Sequence, residues 1–340
     1  MMRHHRILAT LTAVLLVSSL SAAQNAVDTD YNMTKFGQAG MKFLEIGLSP
    51  RAEGLGGAAT SIELGAASMF YNPAGMASPS GDRGDVFIAH TQWVADIAIN
   101  AVAATYQLPF AVVGLSAMSV DYGSVTGTRM TNTGVVEFPG DIDLATTAIG
   151  IGVARRITDK FQAGLTARVV SEDLGATSGS KETIVVFDAG TLYRTGIAGT
   201  VLSMSIRNYS QQAKHQDESY DLPLIFQIGV SMDAMDVIAP SEDQKLMVNL
   251  DATHPRDRAE EALFGLEYSF MDMLYLRAAS RVGRDYTGAE ANTPVAVSLA
   301  AAGAGIKYEV SSLVLGIDYS WTNKGDLLGS VQRFGVSFGF

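Results

Sequence analysis

The final ten residues, 331–340, alternate without a break. Phe334, Val336, Phe338 and Phe340 fall on one side, and Arg333, Gly335, Ser337 and Gly339 on the other. Successive side chains of a strand point to opposite faces, so this segment predicts one extended strand with a greasy face and a small or polar face. The same period of two recurs upstream. Leu313, Leu315, Ile317, Tyr319 and Trp321 oppose Val314, Gly316, Asp318 and Ser320. Leu274, Leu276 and Ala278 oppose Tyr275, Arg277 and Arg281; Leu202, Met204 and Ile206 oppose Ser203, Ser205 and Arg207. Phe161, Ala163, Leu165, Ala167 and Val169 oppose Gln162, Gly164, Thr166 and Arg168. Clusters of Gly, Pro, Asn and Asp cut the chain into about fourteen such segments. They span roughly 85–93, 97–107, 111–122, 144–154, 161–173, 182–193, 201–208, 222–232, 245–252, 260–270, 274–282, 294–308, 312–321 and 329–340. Most approach the ~9–11 residues that a tilted strand needs to cross a bilayer.

A soluble sandwich and a membrane barrel both alternate in this way, and they differ in which face points out. Recurrent Arg, Asp, Asn and Gln on the second face suit a hydrated interior, with Arg168, Arg207, Arg277, Arg281 and Asp318 as candidate lumen residues. The connections also alternate in length. Long polar ones (123–143, 174–181, 209–221, 283–293, 322–328) are interleaved with short ones (108–110, 155–160, 271–273, 309–311). Only 233–244 breaks the rule, being long where a tight turn is expected. The expected fold is therefore all-β: a transmembrane antiparallel barrel of about fourteen strands over 85–340, twelve or sixteen being the neighbouring even solutions.

The start of the chain agrees. Arg3 and Arg6 precede an apolar run from Ile7 to Leu20, and Ser21-Ala22-Ala23 offers a cleavage site, so 1–23 reads as a signal peptide. No later stretch is apolar for 18 residues, which excludes a helical membrane protein. The 34 Gly, 14 Phe and 12 Tyr suit a barrel in an outer membrane, with lipid as its surroundings. With 35 acidic against 24 basic residues, the chain is a poor nucleic-acid partner. Without cysteine there is no disulfide, thiol chemistry or sulfur-ligated metal.

Residues 24–84 do not alternate as strands and are long enough to fold inward as a hatch, a periplasmic arm being the other possibility. Here the chain runs from Phe43 through Arg51-Ala-Glu-Gly54-Leu-Gly56-Gly57-Ala58 to Asn72-Pro73-Ala74-Gly75. Asn72 to Gly75 is a turn by its chemistry, with Pro fixing φ and Asn able to bond its own backbone. Gly54, Gly56 and Gly57 allow close backbone approach or positive φ. Arg51 inside a lumen needs a carboxylate, with Glu45, Glu53 and Asp318 as candidates. This block, followed by His90-Thr-Gln-Trp93 and Asp96, resembles the start of the PorV/PorQ family, a branch of the FadL-like superfamily. Two departures stand out: Ser49-Pro50 precedes Arg51 where the family carries Gly-Ala, and its acidic pair before the Asn-Pro box is reduced to Glu63 with Gly65. The resemblance implies a non-enzymatic role in type IX secretion, with secreted proteins bearing C-terminal sorting domains and the translocon as partners.

No catalytic set emerges. His90, His215 and His254 are scattered, Gly123 to Gly127 has its hydroxyls at the wrong offsets for a nucleophile elbow, and no cofactor or metal is assigned. Asp141 and Asp143 could touch Ca²⁺ but read as solvated loop acids. The alternative function is a FadL-like carrier of long-chain fatty acids or other hydrophobic molecules, with apolar loop residues Val135, Val136 and Phe138 and the lumen arginines meeting an amphiphile. A barrel with a permanently plugged lumen is the third reading.

Overall fold

The computed structural model describes residues 37–340 apart from 135, 143, 176–180, 216, 217 and 286–292. The expected signal peptide, the start of the N-terminal segment, Val135 and Asp143 thus lie outside the described residues. The strands are β1 (Gly84–Gln92), β2 (Ala98–Gln107), β3 (Val112–Asp121), β4 (Val125–Met130), β5 (Val136–Ile142) and β6 (Ala145–Arg156). They continue with β7 (Phe161–Asp173), β8 (Lys181–Arg194), β9 (Val201–Tyr209), β10 (Ala213–His215), β11 (Glu218–Tyr220) and β12 (Ile225–Asp233). The last are β13 (Gln244–Pro255), β14 (Glu261–Phe270), β15 (Leu274–Asp285), β16 (Thr293–Val310), β17 (Leu313–Asn323) and β18 (Ser330–Gly339). Fourteen of them form one closed antiparallel barrel, and β18 seals it by pairing with β1, Ile88 opposite Val336.

The greasy face is the one turned outward. Ile149 is 65% exposed while its neighbour Ala148 is 2% exposed, and Leu115, Leu276 and Phe334 are likewise exposed beside buried partners. A water-soluble sandwich cannot carry such a band, whereas a lipid-embedded wall requires it. Closure also removes every sheet edge, as a bilayer demands of its backbone polar groups. Two loops hold small hairpins that the alternation did not predict, β4–β5 and β10–β11. They lie outside the wall, so no lipid-facing period marks them. The irregular 233–244 connection contains one helical turn, Met235–Ile238, rather than a tight turn. Asp141 of β5 accepts from Thr126 Oγ1 within its hairpin.

Inside the barrel runs the segment 37–83, built of short pieces: 3-10 turns at Lys42–Glu45, Gly65–Phe70 and Pro73–Ala77, and one α-helical turn at Pro50–Gly54. Ser49 caps that turn by accepting from Ala52 N, with Pro50 at its first position. Ala52, Leu55, Ala58, Ala59, Ala66, Ala74 and Met76 are fully buried. The segment threads the lumen from end to end. Gly37 N donates to Asp257 O and Gly40 N to Asp221 O at the long-loop mouth. At the other end Arg83 N donates to Phe340 O, beside the short turns.

Candidate functional site: a cationic cavity above the hatch

The lower hatch is fixed by charge pairs. Arg51 donates from Nε and Nη2 to the two carboxylate oxygens of Glu267, at 2.9 and 2.7 Å. Arg277 donates to the same Glu267 (2.6 Å) and to Asp318 (2.6 Å). The partner of Arg51 is therefore Glu267, and none of Glu45, Glu53 and Asp318. Glu53 lies 3.4 Å from Arg333, Glu45 pairs with Arg258, and Asp318 serves Arg277. Glu53 sits two residues on in the same helical turn and so points to the other side, Glu45 stays at the mouth with Arg258, and Asp318 is taken up by Arg277. Glu267 was missed because Leu266 and Tyr268 dominate that segment; its parity with inward Gly265 was the available signal.

The Asn72 box is a floor bracket. Asn72 Oδ1 accepts from Ala74 N (3.1 Å), while Nδ2 donates to Thr60 O (2.7 Å) and Thr191 O (3.2 Å). Pro73 and Asn72 abut Gly164 of β7 and Gly190 of β8, where any Cβ would collide with them. Gly54 and Gly303 of β16 also lie backbone to backbone, where a Cβ on either would stand 3.1–3.2 Å from the other's Cα. Gly56 and Gly57 have φ of 65° and 87°, which turns the backbone so that Gly57 O accepts from Gln227 Nε2 (3.1 Å). No residue between Gly54 and Gly75 is exposed.

Above this floor a cavity of about 660 Å³ opens toward the long loops. Phe43, Tyr71, Trp93, Ile97, Val120 and Leu263 give it apolar and aromatic walls. Its charged lining comprises six cations (Lys42, Arg207, Arg258, Arg281, Lys324, Arg333) and four carboxylates (Glu45, Glu53, Glu172, Glu261). That excess is opposite in sign to the whole chain, whose net charge is −11.

Of the five lumen candidates, only Arg207 and Arg281 line this space. Arg168 is buried between Asp188 (2.9 Å) and Asn208 (2.7 Å), and Arg277 and Asp318 belong to the floor network. Arg207 donates to Phe70 O (3.1 Å) and sits 5.7 Å from the Tyr71 ring centroid, with no carboxylate in ion-pair contact among the described residues. Arg281 lies 3.7 Å from Glu261.

Lys324, in the β17–β18 loop, also has no ion-pair partner among the described residues, and its Nζ stands 5.1 Å from the Trp93 ring centroid. Burial, then the neighbouring Arg281, brings its pKa down to about 8, against the pull of Glu53. Burial, with Glu53 beside it, pushes the Tyr71 hydroxyl well above its usual range, so it stays protonated. It accepts from Ser49 N (3.0 Å) and donates to Glu53 (3.3 Å). Lys324 escaped notice as a site residue because it sits in a connection, where no period assigns a side chain to the interior; Trp93 ends the expected strand 85–93, and its parity with buried Ala89 and Thr91 was the available signal.

No family model matches this chain, and no curated protein is similar to it in sequence. Solved structures are similar in fold. The Ralstonia pickettii toluene transporter TbuX superposes with a TM-score of 0.54 at 12% identity, covering 86% of this chain and 97% of that one. The Pseudomonas putida toluene transporter TodX gives 0.54 at 12%, covering 90% and 97%. A Pseudomonas aeruginosa FadL homologue gives 0.50 at 11%, covering 86% and 98%. At such identities the likeness concerns the fold: the chain shares with these proteins a closed antiparallel β-barrel, here of fourteen strands.

Proposed function

We propose that this barrel takes up hydrophobic small molecules across an outer membrane, and that the cavity receives an amphiphile with an anionic head. The observation that carries this reading is an apolar, aromatic-walled cavity at the long-loop mouth in which two cations, Arg207 and Lys324, face the space without a carboxylate partner among the described residues. Apolar walls with a few convergent polar groups are the usual make-up of a ligand site. Long loops mark the outer side of such barrels, so the cavity is the first chamber that a molecule from outside meets. Two of the neighbours that share this fold are named as toluene transporters, and toluene is a hydrophobic small molecule.

The secretion role implied by the PorV/PorQ resemblance has less behind it. It rests on the Arg51 to Gly75 block, whose residues pack inside the barrel and leave a folded cargo domain little to touch. None of the comparisons carries that role.

Trp93 lines the cavity and reports its occupancy. Titration of the purified barrel with a medium-chain carboxylate should change tryptophan fluorescence saturably, and with the matching alcohol far less. The double variant Arg207→Ala/Lys324→Ala should lose tenfold to a hundredfold in carboxylate affinity, about 1.4–2.8 kcal/mol. Equal binding of acid and alcohol, or an unaffected double variant, removes the anionic head from the proposal. Absence of any amphiphile in lipid extracts of the natively purified protein, together with flat titrations, removes the transport reading itself.

A further inference from the structure

Beneath the cavity lies a polar notch that the uptake reading does not use. Gly229 of β12 faces the interior between its cross-strand neighbours Ser203 of β9 and Asp251 of β13. A Cβ at Gly229 would stand 2.5 Å from Asp251 Oδ1 and 2.8 Å from Ser203 Oγ. With no side chain at Gly229, these two oxygens close in over its backbone and leave no room for a methyl group.

Asp251 is 0% exposed. Its Oδ2 accepts from Thr60 N of the hatch (2.9 Å) and from Gln227 Nε2 (2.8 Å). Its Oδ1, on the Gly229 side, has no hydrogen-bond partner, and no cation pairs with the carboxylate among the described residues. The adjacent interior positions on these two strands flank the notch on opposite sides, Asn249 toward the short turns and Ser205 toward the long loops. Asn249 and Ser205 are 0% and 2% exposed, and Asn249 Oδ1 and Ser205 Oγ also lack partners.

A buried carboxylate with no cation is costly, and it must be neutralised by a proton, a basic side chain or a bound ion. The side chains supply only hard oxygen donors: hydroxyls, an amide carbonyl and one carboxylate. Such a set suits a hard cation and offers nothing to a soft one. A single carboxylate balances a single positive charge, whereas a divalent ion would leave net charge buried. The notch lies one side chain below the cavity, because Gln227 lines the cavity and donates directly to Asp251.

We propose that this notch binds a monovalent hard cation of the sodium class, held by Asp251 and Ser203 with Asn249 and Ser205 nearby. The ion neutralises Asp251 and lets it fasten the hatch loop from Gly56 to Thr60 to the wall. The Gly56-Gly57 pair then has a defined task, since its positive φ values bring Gly57 O and Thr60 N to Gln227 and Asp251. The site does not depend on what the cavity carries.

The test is thermal unfolding of the purified full-length barrel, followed by heat-modified gel mobility, in sodium, potassium or choline chloride at equal ionic strength and fixed pH. The midpoint should rise saturably with sodium, by about 4 °C once sodium stands a hundredfold above its Kd, and not with choline. Asp251→Asn, which keeps the shape but not the charge, should abolish the sodium dependence. Gly229→Ala, whose methyl would displace Asp251 Oδ1 and Ser203 Oγ, should abolish it too. Should Asp251→Asn fail to fold, Gly229→Ala and Ser203→Ala carry the comparison. A native midpoint indifferent to sodium, or a sodium response equal in the native chain and the Gly229→Ala variant, overturns the proposal; the first result leaves a proton as what neutralises Asp251.

Discussion

The lower and upper halves of the lumen are made from the same residue types and use them in opposite ways. In the floor arginines are matched by carboxylates: Arg51 and Arg277 share Glu267, Arg277 also holds Asp318, and Arg194 pairs with Glu63. In the cavity above, Arg207 and Lys324 have no such partners among the described residues, and aromatic rings stand beside them instead. A matched charge fixes backbone to wall and asks nothing of a ligand. A cation left against an apolar surface favours any anion that can reach it. The difference separates the part of the hatch that holds from the part of the lumen that can receive.

The largest expected effect strikes the floor. Arg277→Met leaves Glu267 and Asp318 short of a cation inside the barrel and should cost about 3–5 kcal/mol, read as a lower temperature for the heat-modified gel shift. Gly164→Ala forces a Cβ into Pro73 and should cost roughly 1–3 kcal/mol, with the hatch rather than the wall becoming more accessible to protease. Neither change should alter the preference of the cavity for a carboxylate over an alcohol.

A smaller effect belongs to the cavity alone. Free Lys324 loses its proton as pH rises through about 8, so carboxylate affinity should fall several-fold between pH 7 and 9. A bound anion favours the charged lysine and shifts that transition upward in the complex. Lys324→Arg should remove the pH dependence while keeping the affinity, and a pH-independent native titration would take Lys324 out of the site. Smallest of all, the Lys245–Asp272 pair (2.7 Å) lies exposed at the short-turn end. Its removal by Lys245→Ala should change stability by no more than about 0.5 kcal/mol and leave binding untouched.

The wall was legible because its period is enforced by solvent on both sides. Lipid outside and polar contacts inside leave a mark at every second residue, which is why the segments around Leu165, Leu202 and Ile317 announce themselves. The two loop hairpins left no such mark. In the candidate site, parity placed Arg168, Arg207, Arg277 and Arg281 on the inner face. It could not tell that Arg168 and Arg277 are struts while Arg207 borders open space. That depends on which hatch residue arrives at the same height, and the hatch has no period to read.

The chain alone thus determined an alternating, closed, lipid-facing cylinder and a Gly- and Asn-Pro-marked segment unlike its strands, because local alternation and turn chemistry are properties of near neighbours in sequence. Only the tertiary structure decided that the N-terminal segment threads the lumen, that Glu267 anchors Arg51, and that Arg207, Lys324 and Trp93 meet in one cavity. Those contacts join residues more than a hundred positions apart, and their energy comes from burial and charge pairing that exist only once the barrel has closed around the hatch.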